Sequence, residues 1–228
     1  MRILSPMCGR FTQTTGELEG FVVINATGPD TRYPPRYNVA PSQEVWVIRR
    51  HPKTGENERG RLIWGFRNPF MVERGIKDCI IARCESVATN GLFKSSYARR
   101  RCLVPVDNFF EWKGPSGQKG RPPYAIAMKD RSPFAIAGIW TGYQAAEGEW
   151  QHTFAVLTCP ANEIVGEIHD RMPVIIAPKD YDRWLSTAEP DPHDLLRPYP
   201  SEPMAVWPIS PRVNKPDYDL ADVLDPVD

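Results

Sequence analysis

The chain has 228 residues, of which 41% are hydrophobic and 25% charged, and its formal net charge is zero. That length and balance exclude a chain disordered throughout and suffice for one domain with a sizeable core. The longest apolar runs, such as residues 104–106 and 134–140, are too short to span a bilayer, so no membrane partner is expected. The 24 prolines argue against a helix bundle, because interior proline breaks helices. Zero net charge hides a split: residues 1–113 carry 18 Lys+Arg against 11 Asp+Glu, and residues 114–228 carry 10 against 17. Five of those acids, Asp217, Asp219, Asp222, Asp225 and Asp228, fall in the last twelve residues, with no base among them. Such a chain presents either a basic face with an acidic tail or merely an uneven surface. Residues 1–6 lack the apolar core of a secretion signal. The five cysteines, Cys8, Cys79, Cys84, Cys102 and Cys159, are odd in number and contain no CxxC pair, which speaks against a zinc ribbon and a disulfide framework. A reducing, cytoplasmic setting is expected. Cys79, Cys102 and Cys159 lie in apolar stretches and read as buried thiols.

In chain order, Thr14-Thr15-Gly16-Glu17 has the capping-box form and predicts a short helix to about residue 24. A proline-rich passage covers residues 29–41. Strands are predicted at residues 45–48, 61–66 and 79–83 from their β-branched and aromatic content. Residues 85–101 read as partly helical with an interruption at Gly91, and Arg99-Arg100-Arg101 as a solvated helix end. Strand signals follow at residues 102–106, 109–112, 124–128, 134–140, 154–158 and 174–176. Helices are predicted at residues 161–168 and from Pro178, a good first-turn residue, to about Leu185. Beyond about Pro211 an extended tail is expected. Many strands with scattered helices, and no βαβ alternation, predict an α+β domain on a curved, mostly antiparallel sheet.

Hydrolase and nucleotide signatures such as GxSxG, HExxH, the phosphate loop and GxGxxG are absent. Four groups of polar residues stand out instead. Cys8 follows Met7, and a chain starting at Met7 would lose that methionine and begin with Cys8. An N-terminal cysteine has an α-amine with pKa of about 7.7–8.0, largely neutral compared with lysine, beside its thiol. It can form an imine with an aldehyde and then close a thiazolidine ring. The competing reading is an ordinary cysteine near the terminus. Glu111, within Phe109-Phe110-Glu111-Trp112, is either a desolvated carboxylate suited to acid–base work or the water-facing member of an alternating strand. His169, in Ile168-His169-Asp170-Arg171, sits where a helix meets a strand and is either tuned by its charged neighbours or simply caps the helix. Arg10 and Arg171 adjoin these segments and Arg83 ends an apolar strand; guanidinium suits phosphate contacts, although any one of them taken alone reads first as surface arginine.

The ordered set of segments Met7-Cys8-Gly9-Arg10-Phe11, Arg36-Tyr37-Asn38-Val39-Ala40-Pro41, Trp64-Gly65-Phe66, Ala82-Arg83-Cys84-Glu85, Phe109-Phe110-Glu111-Trp112-Lys113, His169-Asp170-Arg171-Met172-Pro173-Val174 and Pro211-Arg212-Val213-Asn214 resembles the SRAP family of SOS-response-associated peptidases, or abasic-site processing proteins. The resemblance covers roughly residues 7–215, with residues 1–6 as an extension and residues 216–228 as an acidic tail. It implies an α+β fold with a curved, barrel-like sheet and a few flanking helices. It also implies a partner, single-stranded DNA carrying abasic sites, to which the N-terminal cysteine cross-links as a thiazolidine. Under the resemblance Cys8 is the nucleophile, exposed by peptidase-like release of the preceding residues, while Glu111 assists ring opening and His169 assists imine chemistry. Arg10, Arg83 and Arg171 hold phosphates, Asn38 shapes the pocket, and Phe70 stands where the family has a tryptophan wedge. No metal or cofactor is implied, and a DNA-associated monomer is expected.

Two departures bear on this expectation. Ile81 occupies the position where the family carries asparagine, removing a donor and an acceptor. Residues 1–6, if retained with Met7, turn the α-amine of Cys8 into an amide. Two alternatives follow: a non-catalytic single-stranded DNA-binding module, or a cysteine peptidase with Cys8 and His169 as a dyad.

Overall fold

The structure, a computed structural model, describes residues 9–25, 34–115, 117–189 and 191–227. Cys8, the extension and part of the proline-rich passage lie outside the described residues. Strands occupy the segments whose alternation and β-branched content announce them. They are β1 (Phe11–Gln13), β2 (Ile24–Asn25), β3 (Arg36–Val39), β4 (Glu44–Arg50), β5 (Asn57–Trp64), β6 (Ile81–Arg83), β7 (Arg101–Val106), β8 (Asn108–Trp112), β9 (Pro123–Met128), β10 (Phe134–Gln144), β11 (Trp150–Pro160), β12 (Arg171–Pro173), β13 (Ile175–Ile176) and β14 (Met204–Pro208). The helices are short: α1 (Pro69–Glu73), α2 (Lys94–Arg99), α3 (Glu163–Gly166) and α4 (Tyr181–Leu185).

Strands β5, β4, β7, β10 and β11 pair in that order, each antiparallel to the next. β11 then returns to β5 in parallel, setting Thr153 opposite Ile63 and Phe154 opposite Trp64. The five strands form a closed barrel, so none of them is left as a bare edge. A second antiparallel sheet, in the order β14–β9–β8–β1–β3, lies beside it. The α+β fold with its curved, barrel-like and mostly antiparallel sheet is therefore as expected. Trp64 joins the two parts. It is wholly buried, lies 4.9 Å from Phe11 of β1 and 6.4 Å from Phe154 of β11 between ring centroids, and its indole N–H donates to the Ile80 carbonyl at 2.9 Å.

The β8–β9 pair is covered on both faces. Opposed residues Phe109 and Ile126 belong to the main apolar cluster, while opposed residues Phe110 and Ala125 belong to a smaller one with Ile209, Val213 and Val223. Period-two alternation thus feeds two cores at once. The second core is completed by the chain after Pro211, which departs from the extended tail expected there. It forms 3-10 turns at Pro211–Asn214 and Ala221–Leu224, and it inserts the wholly buried Val213 and Val223. Trp207 Nε1 ties it down by donating to the Leu224 carbonyl at 2.9 Å. We call this segment the C-terminal strap.

Other expectations are corrected by local competition. No helix follows Thr14. Its backbone N–H and hydroxyl both donate to the Asp107 carboxylate, at 2.6 and 2.9 Å, and these bonds replace the capping box. Gly16 lies flat against Trp46, where a Cβ would come within 2.6 Å of the indole. The helix expected at residues 161–168 shrinks to the single turn α3, capped by Asn162. Only Lys94–Arg99 of residues 85–101 is α-helical. Arg101 is not solvated but buried at 4% exposure, and it donates to the Trp184 and Tyr97 carbonyls at 2.5 and 2.7 Å.

Candidate functional site

The described chain enters at Gly9, just before β1, which lies between β8 and β3 in the second sheet. Phe11 pairs with Phe109 and the Phe110 N–H donates to the Arg10 carbonyl at 3.0 Å, a register that brings Gly9 alongside Glu111. Cys8, the residue before Gly9 in sequence, lies outside the described residues. A cavity of about 380 Å³ opens here, lined by Gly9, Arg10, Pro41, Trp112, Gln118, Gly120, Arg121 and Asn214. Two further cavities of about 190 and 250 Å³ lie around Ile175, Ile176 and Tyr199 and contain none of the candidate residues.

Arg10 is half-buried, and burial lowers its pKa. A guanidinium nevertheless keeps its charge at all ordinary pH values. It donates to Asn38 Oδ1 at 3.2 Å and to the Val213 carbonyl at 2.5 Å, both neutral acceptors, and has no carboxylate partner among the described residues. Its positive charge is therefore unneutralised on the cavity wall. Arg121 brings a second guanidinium to the same wall, braced by the Trp112 and Gly114 carbonyls at 3.3 and 3.4 Å. The Trp112 indole, also in the lining, donates to Asn214 Oδ1 at 2.7 Å, clamping the strap to β8. This combination of two cations, an aromatic face and amide groups suits a phosphodiester with an unstacked sugar or base.

Glu111 is buried at 2% exposure, so it is not the water-facing member of β8. Burial on both faces of the strand overrides the alternation that would have exposed it. His169 follows α3, its backbone N–H bonded to the Val165 carbonyl at 2.9 Å. Burial lowers its pKa, Asp170 opposes this, and the charges of Arg121 and Arg171 lower it further. Two groups compete for Nδ1: the Arg171 backbone N–H at 3.2 Å, which needs a bare nitrogen, and the Asp170 carboxylate at 2.8 Å, which accepts only when Nδ1 carries a proton. The lowered pKa favours the neutral ring at pH 7, a form able to accept or relay a proton.

Asn38 is wholly buried, and its Nδ2 reaches three strap carbonyls, Val213 at 3.1 Å, Lys215 at 2.9 Å and Tyr218 at 3.0 Å. It builds the wall behind Arg10. Arg171 is buried and gripped by Glu85 in a two-pronged pair at 2.5 and 2.9 Å, with Nη2 also on the Thr158 carbonyl at 2.7 Å. Its fork is therefore occupied by a carboxylate. Arg83 is exposed on β6 and makes no ion pair among the described residues. Phe70 is 49% exposed on α1 beside Val72, with the Arg74 guanidinium 5.4 Å over its ring. Arg83, Arg171, His169 and Phe70 do not line the cavity itself. Ile81 is half-buried and packs on the main core. Arg121 and Glu85 are the participants that sequence reasoning missed. Arg121 follows a glycine-rich stretch that carries no motif.

The Arg171–Glu85 pair has a measurable consequence. Its hydrogen bonds to Arg171 hold the Glu85 carboxyl down at about 2, from an ordinary 4.5. A carboxyl depressed in the folded state adds stability above about pH 4.5, and that stability is lost as pH falls from there toward 2. The melting-temperature difference between wild type and Glu85→Gln should therefore be present at pH 7 and vanish by about pH 2. Glu85 is 49% exposed, so the difference is modest. A difference that persists unchanged at pH 2 would refute the assignment.

The sequence profile of the SOS response associated peptidase family, SRAP, matches residues 7–216. The chain belongs to the SRAP family. Among its relatives, the abasic site processing protein YoqW of Bacillus subtilis is 34% identical over 227 residues, covering 96% of this chain and 99% of that one. The abasic site processing protein YedK of Escherichia coli is 28% identical, covering 78% and 79%. The structure of a phage-related protein from Bordetella bronchiseptica superposes with a TM-score of 0.69 at 27% identity, covering 89% of this chain and 94% of its own. That of a protein from Bacteroides thetaiotaomicron superposes at 0.71 with 23% identity, covering 84% and 85%, and shares the fold. The family match thus spans both sheets and the first turn of the strap. Among the described residues no helix is long and apolar enough to cross a membrane.

Proposed function

We propose that this SRAP protein binds single-stranded DNA at abasic sites and cross-links to the lesion through Cys8. The observation that carries the proposal is the Gly9–Arg10 cavity. It combines unneutralised positive charge with an aromatic wall, and the buried Glu111 carboxylate, which does not line it, lies next along β8 and alongside Gly9. The relatives named abasic site processing proteins point to the same ligand. The four described cysteines add support. Burial raises the thiol pKa of Cys79, Cys84, Cys102 and Cys159, that of Cys159 to about 12, which keeps them protonated and poorly nucleophilic.

In this reading Glu111 takes the proton of the C1′ hydroxyl as the C1′–O4′ bond of the sugar opens, and the ring oxygen is protonated. The α-amine of Cys8 adds to the resulting aldehyde and water leaves, giving an imine. The Cys8 thiol then adds to the imine carbon, and its proton passes to the nitrogen. His169, neutral at pH 7, relays protons in these steps. Arg10 and Arg121 hold flanking phosphates, with the exposed Arg83 contributing farther along the strand, while Arg171, its fork taken by Glu85, holds β12 in place. Release of the residues before Cys8, a peptidase-like step, frees the amine.

Incubating the protein with single-stranded DNA carrying one abasic site, followed by a denaturing gel, should give a protein-sized shift absent with undamaged DNA. An identical shift on both DNAs, or none from protein shown by mass to begin at Cys8, would remove the cross-linking proposal. Ile81 favours one second reading, a binding module without chemistry, since an apolar side chain stands where the family has an amide. Binding that is selective for the lesion but never covalent would select that reading.

A further inference from the structure

We infer that Asp219, beyond the end of the family match at residue 216, is a positioning residue for Arg10, and that the C-terminal strap is a working part of the site. The inference rests on the reading of the Arg10 cavity as a site for DNA phosphate. Asp219 Oδ1 accepts the backbone N–H groups of Tyr37 at 2.5 Å and Asn38 at 2.8 Å, while Oδ2 pairs with Arg36. Those bonds fix the strap against β3. Once the strap is fixed, its carbonyls at Val213, Lys215 and Tyr218 fill the amide of Asn38. That orients Asn38 Oδ1 toward Arg10, and Val213 supplies the second acceptor. Both acceptors that aim the Arg10 guanidinium therefore depend on the strap staying where Asp219 holds it.

The sign of the effect separates this role from plain electrostatics. An acid beside a DNA site repels phosphate, so its removal by itself strengthens binding. Removal of a residue that aims Arg10 weakens binding, because the phosphate contact is lost.

The test measures binding of an undamaged, fluorescent single-stranded oligonucleotide across a salt series. It uses wild type, Asp219→Ala, Asp219→Asn, Arg10→Ala and the Arg10→Ala/Asp219→Ala double variant. Asp219→Ala should weaken binding by about tenfold, as expected for one charge-assisted contact. Its salt slope should be shallower by about 0.7, the share of one phosphate on a single strand. Asp219→Asn keeps the acceptor for both backbone N–H groups and should recover most of the affinity. In the Arg10→Ala background, Asp219→Ala should have no further effect. Far-UV circular dichroism follows folding, and Asp219→Ser, which retains a shorter acceptor, replaces Asp219→Ala if the latter does not fold. Equal or tighter binding by Asp219→Ala, or the same loss in the Arg10→Ala background, overturns the role of Asp219. If Arg10→Ala itself binds like wild type with an unchanged slope, the DNA reading of the cavity falls as well. If Arg10→Ala weakens binding and Asp219→Ala does not, only the inference about Asp219 falls.

Discussion

Protein that begins at Cys8 and carries Cys8→Ala should give no denaturation-resistant adduct with abasic single-stranded DNA, while its reversible affinity stays near that of wild type. The whole covalent yield is expected to vanish, because alanine keeps the α-amine but removes the thiol that traps the imine as a ring. An imine alone is reversible and is lost on denaturation unless reduced. Adding borohydride should therefore rescue an adduct with Cys8→Ala, a result that separates the thiol's role from the amine's. Protein retaining residues 1–7 should differ from Cys8→Ala. Its residue 8 has an amide in place of the amine, so borohydride should rescue nothing. Untrimmed full-length protein that cross-links as fast as the form starting at Cys8 would show that the free amine is unnecessary. The proposed DNA contacts rest on other residues, Arg10 and Arg121 among them, so both changes should spare binding.

The largest loss of stability should come from Trp64→Ala. Emptying a wholly buried indole costs about 3–5 kcal/mol through lost burial and the cavity left behind. The variant also removes the indole bond to the Ile80 carbonyl, which keeps only the Val156 N–H. Total stability for a domain is on the order of 5–15 kcal/mol, so this one change removes a large share of it. Denaturant titration should show the midpoint fall with little change in slope. Trp64→Phe, which keeps the contacts with Phe11 and Phe154, should lose much less. An alanine variant as stable as wild type would mean that Trp64 does not join the barrel to the second sheet.

The strands were legible because each depends on its own residues. Runs such as residues 102–106 and 134–140 carry β-branched and apolar content that no helix would use as well. The candidate site was legible only as separate fragments. The register that brings Gly9 alongside Glu111 depends on β1 pairing with β8, nearly a hundred residues later in sequence, and nothing local encodes it. The missed features have physical reasons. Thr14 satisfied its capping chemistry with Asp107, a distant acceptor that a local motif cannot reveal. The strap looked like a solvated tail because its apolar anchors, Val213 and Val223, are single residues among acids and prolines. Arg171 looked like a phosphate ligand from its position, and Glu85, which occupies its fork, gave no sign of being its partner.

The parallel seam between β5 and β11 has a consequence for how the chain reaches this shape. β4 and β5 pair through a short connection, as do β10 and β11, so both hairpins can form early from neighbouring residues. The seam must join Ile63 to Thr153, with β7 and the whole of the second sheet's β8 and β9 intervening. Its loop-closure entropy is met before its contacts contribute, so topology makes the seam a late event and the barrel a slow folder for its size. Until it closes, β5 and β11 both present open edges, and nascent chains are most prone to pair with one another in that interval.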